Sequence, residues 1–272
     1  MDVKQPPQLL KYERTYQFNN SGSTYQADNG YKNRFTILLS RPITVPVHAK
    51  NVMLKCLYSS IWNTSPNLME NQTLRFYNPT NDHFDIVFNA GLYGVQDMQD
   101  NLTRRLEDLG LADDYLSFTA NYATQKVIIV FKYQGTKIDF RTSSSQLLRN
   151  LLGFDAKEVA AMNNNAFVEG DYPAQFNQIN SFHVGTSLLN GGGIRINDSE
   201  NSIVAIIPIN NAPGSQILFT PFNPISLPAD QLCGNMINTV KFWITDEKQR
   251  DIVLNEPFEI LLSITFLAKA QD

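Results

Sequence analysis

Three histidines, two cysteines and a few grouped carboxylates are the residues of this chain best suited to chemistry. A zinc or di-iron centre needs two or more ligands that converge, and in sequence this shows as His-x-x-x-His, Cys-x-x-Cys or Glu-x-x-His. None of these spacings occurs, and His48, His83 and His183 stand in three separate segments. His183 is alone on its apolar stretch, without the second histidine that a cupin-type metal site on adjacent strands requires. Cys56 and Cys233 fall in or beside apolar runs, as buried reduced thiols do. No Gly-x-Ser-x-Gly elbow presents a serine nucleophile. Gly191-Gly192-Gly193 lacks the Lys-Ser/Thr ending of a phosphate loop and reads as a hairpin tip. Asp246, Glu247 and Asp251 flank one turn and have the oxygen atoms Ca²⁺ prefers, but a solvated turn uses the same residues. Asp113-Asp114 reads as the loop leaving a helix, and Trp62 with Asn63 and Asn67 is the one group resembling a carbohydrate platform. The residues therefore assign no catalytic, cofactor-binding or metal-binding position, and the expectation is a protein that is not an enzyme.

Composition points the same way. Only 18% of the 272 residues are charged, the net charge is −4, and Lys and Arg are scattered. Direct nucleic-acid binding would ask for a basic patch. The polar surface comes instead from Asn, Gln, Ser and Thr, which suits broad contact with other chains. No apolar run is long enough for a transmembrane helix, and residues 1–10 have no apolar signal core, so membrane insertion and export are not expected. Asn-x-Ser/Thr sequons at Asn19, Asn63, Asn71, Asn101 and Asn197 then read as chance matches in an Asn-rich chain.

The elements that must position these residues are mostly strands. Phe258–Leu267 carries one charge in ten residues, so neither face suits water, and its Ile, Thr and Phe favour a strand paired on both edges. Thr239–Thr245 leads into it through the charged turn Asp246–Asp251. Residues 1–30, polar with interleaved Tyr and Phe, read as an extended arm that orders on a partner. Strands follow at Arg34–Val45, where Pro42 requires an edge or bulge, at Val52–Trp62 and at Phe84–Ala90. From Val95 to Leu109 the apolar residues fall at helical spacing, with Gly110 just past the end. Tyr115–Asn121 and Lys126–Lys132 form a hairpin pattern, and Gln146–Leu152 a short helix stopped by Gly153. Residues of about 92–153 thus interrupt a strand-rich chain as a small α/β insertion. Strands resume at Ser181–Leu189, Ser202–Ile209 and Gln216–Phe222 before the final pair. Three strands before the interruption and five after it make eight, the count of a jelly roll. The fold class predicted is all-β, an eight-stranded jelly-roll β-sandwich over residues 31–272, with the last two strands central, one in each sheet.

The order of features resembles a known family. Gly91-Leu92-Tyr93-Gly94-Val95 leads into an amphipathic helix, a hairpin follows, and Ile138-Asp139-Phe140 and Leu151-Leu152-Gly153-Phe154 come after it. A long strand block with Pro-rich loops and a Trp-Ile-Thr-Asp turn closes the chain. Over roughly residues 30–268 this is similar to the minor capsid (penton) proteins of Polinton/Maverick elements, Polinton-like viruses and virophages. The resemblance implies a structural subunit of the virion, assembled inside the infected host cell. It implies homopentamers at the vertices of an icosahedral capsid and contact with trimers of a double-jelly-roll major capsid protein. Alternatives are a carbohydrate-binding jelly roll of lectin or fibre type, and a major capsid or other minor capsid subunit. A double jelly roll needs about sixteen strands, more than this length holds.

Overall fold

The computed structural model describes residues 9–21, 25–27, 32–176, 179–191, 193–194 and 202–269. In chain order the elements begin with β1 (Leu9–Asn19), β2 (Tyr25–Ala27), β3 (Arg34–Thr44), β4 (Lys50–Trp62), β5 (Gln72–Tyr77) and β6 (His83–Phe88). Helix α1 (Val95–Asp108) is followed by β7 (Leu116–Asn121), β8 (Lys126–Phe131), β9 (Lys137–Asp139) and helix α2 (Gln146–Leu152). Then come β10 (Glu158–Ala160), β11 (Ala166–Glu169), β12 (Ser181–Thr186), β13 (Ile203–Pro208), β14 (Gln216–Phe219) and β15 (Leu227–Pro228). The series closes with β16 (Met236–Thr245) and β17 (Glu259–Lys269). Packing divides the chain into two units, residues 1–64 with 179–272, and residues 65–178.

The first unit is the jelly roll. One sheet has the order β1-β17-β4-β14, with β15 also on β4, and the other runs β13-β12-β16-β3-β2. Every ladder is antiparallel. The eight principal strands are β1, β3, β4, β12, β13, β14, β16 and β17. As expected, β17 lies between β1 and β4, and β16 between β12 and β3. Alternate residues of β17, Ile260, Leu262, Ile264 and Phe266, are buried in the core. The ring of Phe242 lies 5.1 Å from Phe18 and 5.5 Å from Phe35, and Phe35 lies 6.0 Å from Phe258. Pro42 sits where β3 leaves its ladder with β16, between the pairs Thr239↔Leu38 and Ile237↔Ile43. A residue without an N–H is tolerated there because no rung is asked of it.

The count of eight is reached by a different route from the sequence reading. Phe84–Ala90 is not a jelly-roll strand, since β6 belongs to the second unit. The third early strand is instead β1, inside the segment read as an arm. Its eleven residues pair in unbroken register with β17, from Leu9↔Lys269 to Asn19↔Glu259. Tyr12, Tyr16 and Phe18 pack on the core from one face. Arg14 stands on that same face and breaks the apolar alternation, which is why no period of two shows in the sequence. Its guanidinium lies 5.6 Å from the centre of the Phe266 ring, and Nη1 donates to the Thr44 carbonyl at 2.8 Å. Of the rest of residues 1–30, positions 1–8, 22–24 and 28–30 lie outside the described residues.

The second unit also starts and ends elsewhere than expected, at 65–178 rather than about 92–153. It holds two small antiparallel sheets, β10-β9-β5-β6 and β11-β8-β7, with α1 and α2. Met98, Leu102 and Leu106, the buried stripe of α1, join Phe76, Phe88, Phe131 and Phe140 in an apolar core of its own. The two motifs that carry the family resemblance are structural here. Asp97 Oδ2 accepts a hydrogen bond from the Gly94 N–H at 2.7 Å and so closes the start of α1. Leu151 and Leu152 are core residues, and Gly153 ends α2 in the left-handed region at φ 81°. Asn67 ties the unit's two ends together, its Nδ2 donating to the carbonyls of Tyr93 (2.7 Å) and Phe176 (2.9 Å).

Candidate assembly surface

Several of the groups singled out for chemistry have a structural task. His48 is exposed in the turn between β3 and β4, His83 is exposed at the start of β6, and His183 is buried on β12. Both ring nitrogens of His183 are engaged, Nε2 with Ser181 Oγ and Nδ1 with Gln249 Nε2, each at 3.1 Å. Burial lowers its pKa below the ordinary value, against a partial upward pull from Glu247 and Asp246. Burial pushes the Cys56 thiol up to about 12, so it stays protonated and unreactive at neutral pH. Among the described residues no three His, Cys, Asp or Glu side chains converge as a metal site.

The turn after β16 is closed by its own acids. Asp246 accepts hydrogen bonds from the backbone N–H groups of Lys248 (2.9 Å) and Arg250 (2.8 Å) and from Arg250 Nε (2.7 Å). Asp251 Oδ1 takes Arg34 Nε at 2.8 Å and Asn33 Nδ2 at 3.1 Å. Glu247 receives the Asn180 N–H at 3.1 Å. These oxygens accept hydrogen bonds from protein donors. Asp114 pairs with Lys132. The amide of Asn63 is also committed, its Nδ2 donating to the Asn211 carbonyl at 3.0 Å, and Asn67 is spent as described above. Each of these two amides thus donates to backbone carbonyls. Of the glycine triplet, Gly192 lies outside the described residues.

What the jelly roll does offer is its sheet edges. An exposed edge strand presents unpaired backbone groups and is normally protected by charge, twist or cover. At one edge of the β1-β17-β4-β14 sheet, β14 and β15 both pair with β4, and the Pro-rich loop 220–226 bows out between them. Leu218 is 63% exposed, Phe222 97% and Ile225 60%. Three large apolar side chains exposed within eight residues make a patch of the kind that marks a contact site. Between Asn210 and Val240 the only charged residue is Asp230, so little protects this edge electrostatically. Composition hinted at broad contact with other chains, but the reading did not single out these three residues. The signal was present as an unusual density of Pro and large apolar residues in a loop.

At the opposite edge the sheet ends on β1, and a cavity of about 160 Å³ opens beside it. Tyr12, Arg14, Phe266 and Ala268 line it from β1 and β17, and Pro46 and His48 from the turn after β3. Tyr12 and Phe266 stack at 5.5 Å with an interplanar angle of 18°. Lys269 joins Arg14 in giving the cavity a cationic lining.

No family model and no curated protein matches this chain. Among solved structures it is similar to the crystal structure of the selenomethionine-labelled mavirus penton protein, at 13% sequence identity. That match covers 94% of this chain and 99% of the other, with a TM-score of 0.47.

Proposed function

We propose that this chain is a structural capsid protein that forms homopentameric vertex capsomers, the pentons, of an icosahedral virus built from double-jelly-roll trimers. One observation carries the reading: a single eight-stranded jelly roll exposes apolar side chains at a sheet edge almost free of charge. Such an edge is a hazard in an isolated subunit and an asset in a closed ring, where each copy covers the next. Sparse charge lets flat contacts form without stripping water from ions. The order of features through residues 30–268, with its lead into α1 and its close at Gly153, supports a place in the penton family. Eight principal strands are half of what a double jelly roll needs, which favours a vertex role over that of the major capsid protein.

The subunit would meet its own copies laterally and shell trimers at its periphery, and would reside in the virion. Solution mass by light scattering tests this, with negative-stain images of the same peak. A ring of five has roughly 154 kDa, five times 30.8 kDa, and closed cyclic symmetry. A trimer points to a major-capsid or fibre role instead. A monomer that also fails to join shell trimers on co-expression overturns the proposal.

A further inference from the structure

The two edges of one sheet carry complementary features, an aromatic knob and a cationic, ring-sized cavity. We propose that Phe222 of one copy inserts into the cavity beside β1 of the next, and that this contact closes the ring. The inference rests on the capsid reading given above and adds to it the residues that join neighbouring copies.

Size is the first argument. The cavity holds about 160 Å³, and an apolar cavity of about 150 Å³ is known to accept a benzene ring. Its Tyr12–Phe266 stack offers a third ring an aromatic surface. Arg14 is already held there by the Thr44 carbonyl and the Phe266 ring, so a second aromatic face would meet a pre-placed guanidinium. Phe222 has almost no contact to give up in its own chain, being 97% exposed.

Charge is the second. Arg14 and Lys269 make the cavity side cationic. The knob side has no cation from Asn210 to Val240, and its one charge is Asp230. Asp230 Oδ1 accepts the Val52 N–H at 3.3 Å, which places this carboxylate beside the start of β4, near the knob's own edge. A loop without cations, at an edge that also carries one carboxylate, therefore faces two cations around an aromatic cavity.

Height is the third. Heterologous contacts close only if the operation relating neighbours is a pure rotation; an axial offset between the two surfaces gives a helical filament. The ladder registers measure that offset with the strands standing along the ring axis. Glu13 pairs with Thr265, Thr265 with Met53, and Met53 with Pro228. Arg14 pairs with Ile264, Ile264 with Leu54, and Leu54 with Leu227. Arg14 thus stands level with Leu227, just past one end of the loop 220–226, and Phe18, through Ile260 and Ser59, stands level with Phe219 at the other. Phe222 lies on the loop between these two levels, and the cavity beside Tyr12 and Arg14 lies at the level of the Leu227 end.

The test uses the full chain with p-benzoylphenylalanine in place of Phe222, mixed as isotopically heavy and light copies and irradiated. Hybrid heavy–light peptides joining position 222 to β1, to residues 45–49 or to β17 are the expected result. Adducts within one chain only, or to any other surface, overturn the contact, and so does occupation of the cavity by the chain's own residues 1–8 or 270–272. In parallel, Phe222→Ala should weaken association by roughly tenfold or more while Phe222→Trp retains it, with unchanged circular dichroism in both. Rings of five that form as tightly in Phe222→Ala as in the natural chain sink this contact and leave the penton reading standing. A natural chain that stays monomeric and gives no hybrid adducts also overturns the contact, and co-assembly with shell trimers then decides the penton reading separately.

Discussion

Gly153 and Gly110 both end helices in the left-handed region, at φ 81° and 73°, yet they are not equivalent. A Cβ at Gly153 would lie 2.2 Å from the Tyr172 carbonyl oxygen, whereas one at Gly110 meets nothing within 4 Å. Gly110→Ala should therefore cost only the left-handed strain of about 1 kcal/mol, and Gly153→Ala about 3 kcal/mol or more, because backbone must also move. Urea midpoints of the two variants check this, and equal losses would show that strain alone operates. Sequence reading marked both as helix stops. It could not separate them, because the second constraint comes from a residue nineteen positions away (172 − 153). His183 supplies a pH dependence of known sign. Burial lowers its folded pKa below the ordinary 6.5, so the unfolded chain takes up the proton first. The contribution is present above pH 6.5 and is lost as pH falls from there through the lower folded value. In His183→Gln the fall in stability just below pH 6.5 should become shallower; an unchanged slope would assign it to other groups.

At the scale of elements, β1 is the clearest departure from the sequence reading. An arm that orders only on a partner could be removed without harm, whereas β1 covers one side of β17 along eleven rungs and places Phe18 in the core. Losing a buried phenylalanine alone costs about 3–5 kcal/mol, a large share of the 5–15 kcal/mol that holds a typical domain together. Deletion of residues 2–19 should abolish the cooperative transition and give soluble aggregates. Circular dichroism melts with light scattering read both. The strand was hard to see because it is an edge strand that buries few side chains and places Arg14 among them. The last strand was easy to see for the opposite reason: Ile260–Phe266 is buried almost throughout, so it is apolar almost throughout.

For the whole molecule, the jelly roll was legible as a class and as a pair of central strands, and the limits of the interruption were not. β5 and β6 alternate apolar and polar residues just as jelly-roll strands do, and local pattern cannot say which sheet a strand will join. The candidate assembly surface was less legible still, since neither an exposed phenylalanine nor a cavity formed by residues 12 and 266 can be read from spacing. Residues 65–178 bury their own aromatic core, and Asn67 fastens their ends together. Expressed alone, that segment should fold cooperatively and give a dispersed amide spectrum; a collapsed spectrum would mean that it depends on the rest of the chain. The position of β17 between β1 and β4 has a consequence for synthesis on the ribosome. Residues 65–178 can fold as soon as they emerge, because all their partners are local to that segment. β1 and β4 emerge earlier but cannot join one another, since the strand that belongs between them is still untranslated. Nascent chains therefore pass through a stage with one finished unit and one open sheet, and a chaperone that shields β1 and β4 until β17 arrives would act on that interval.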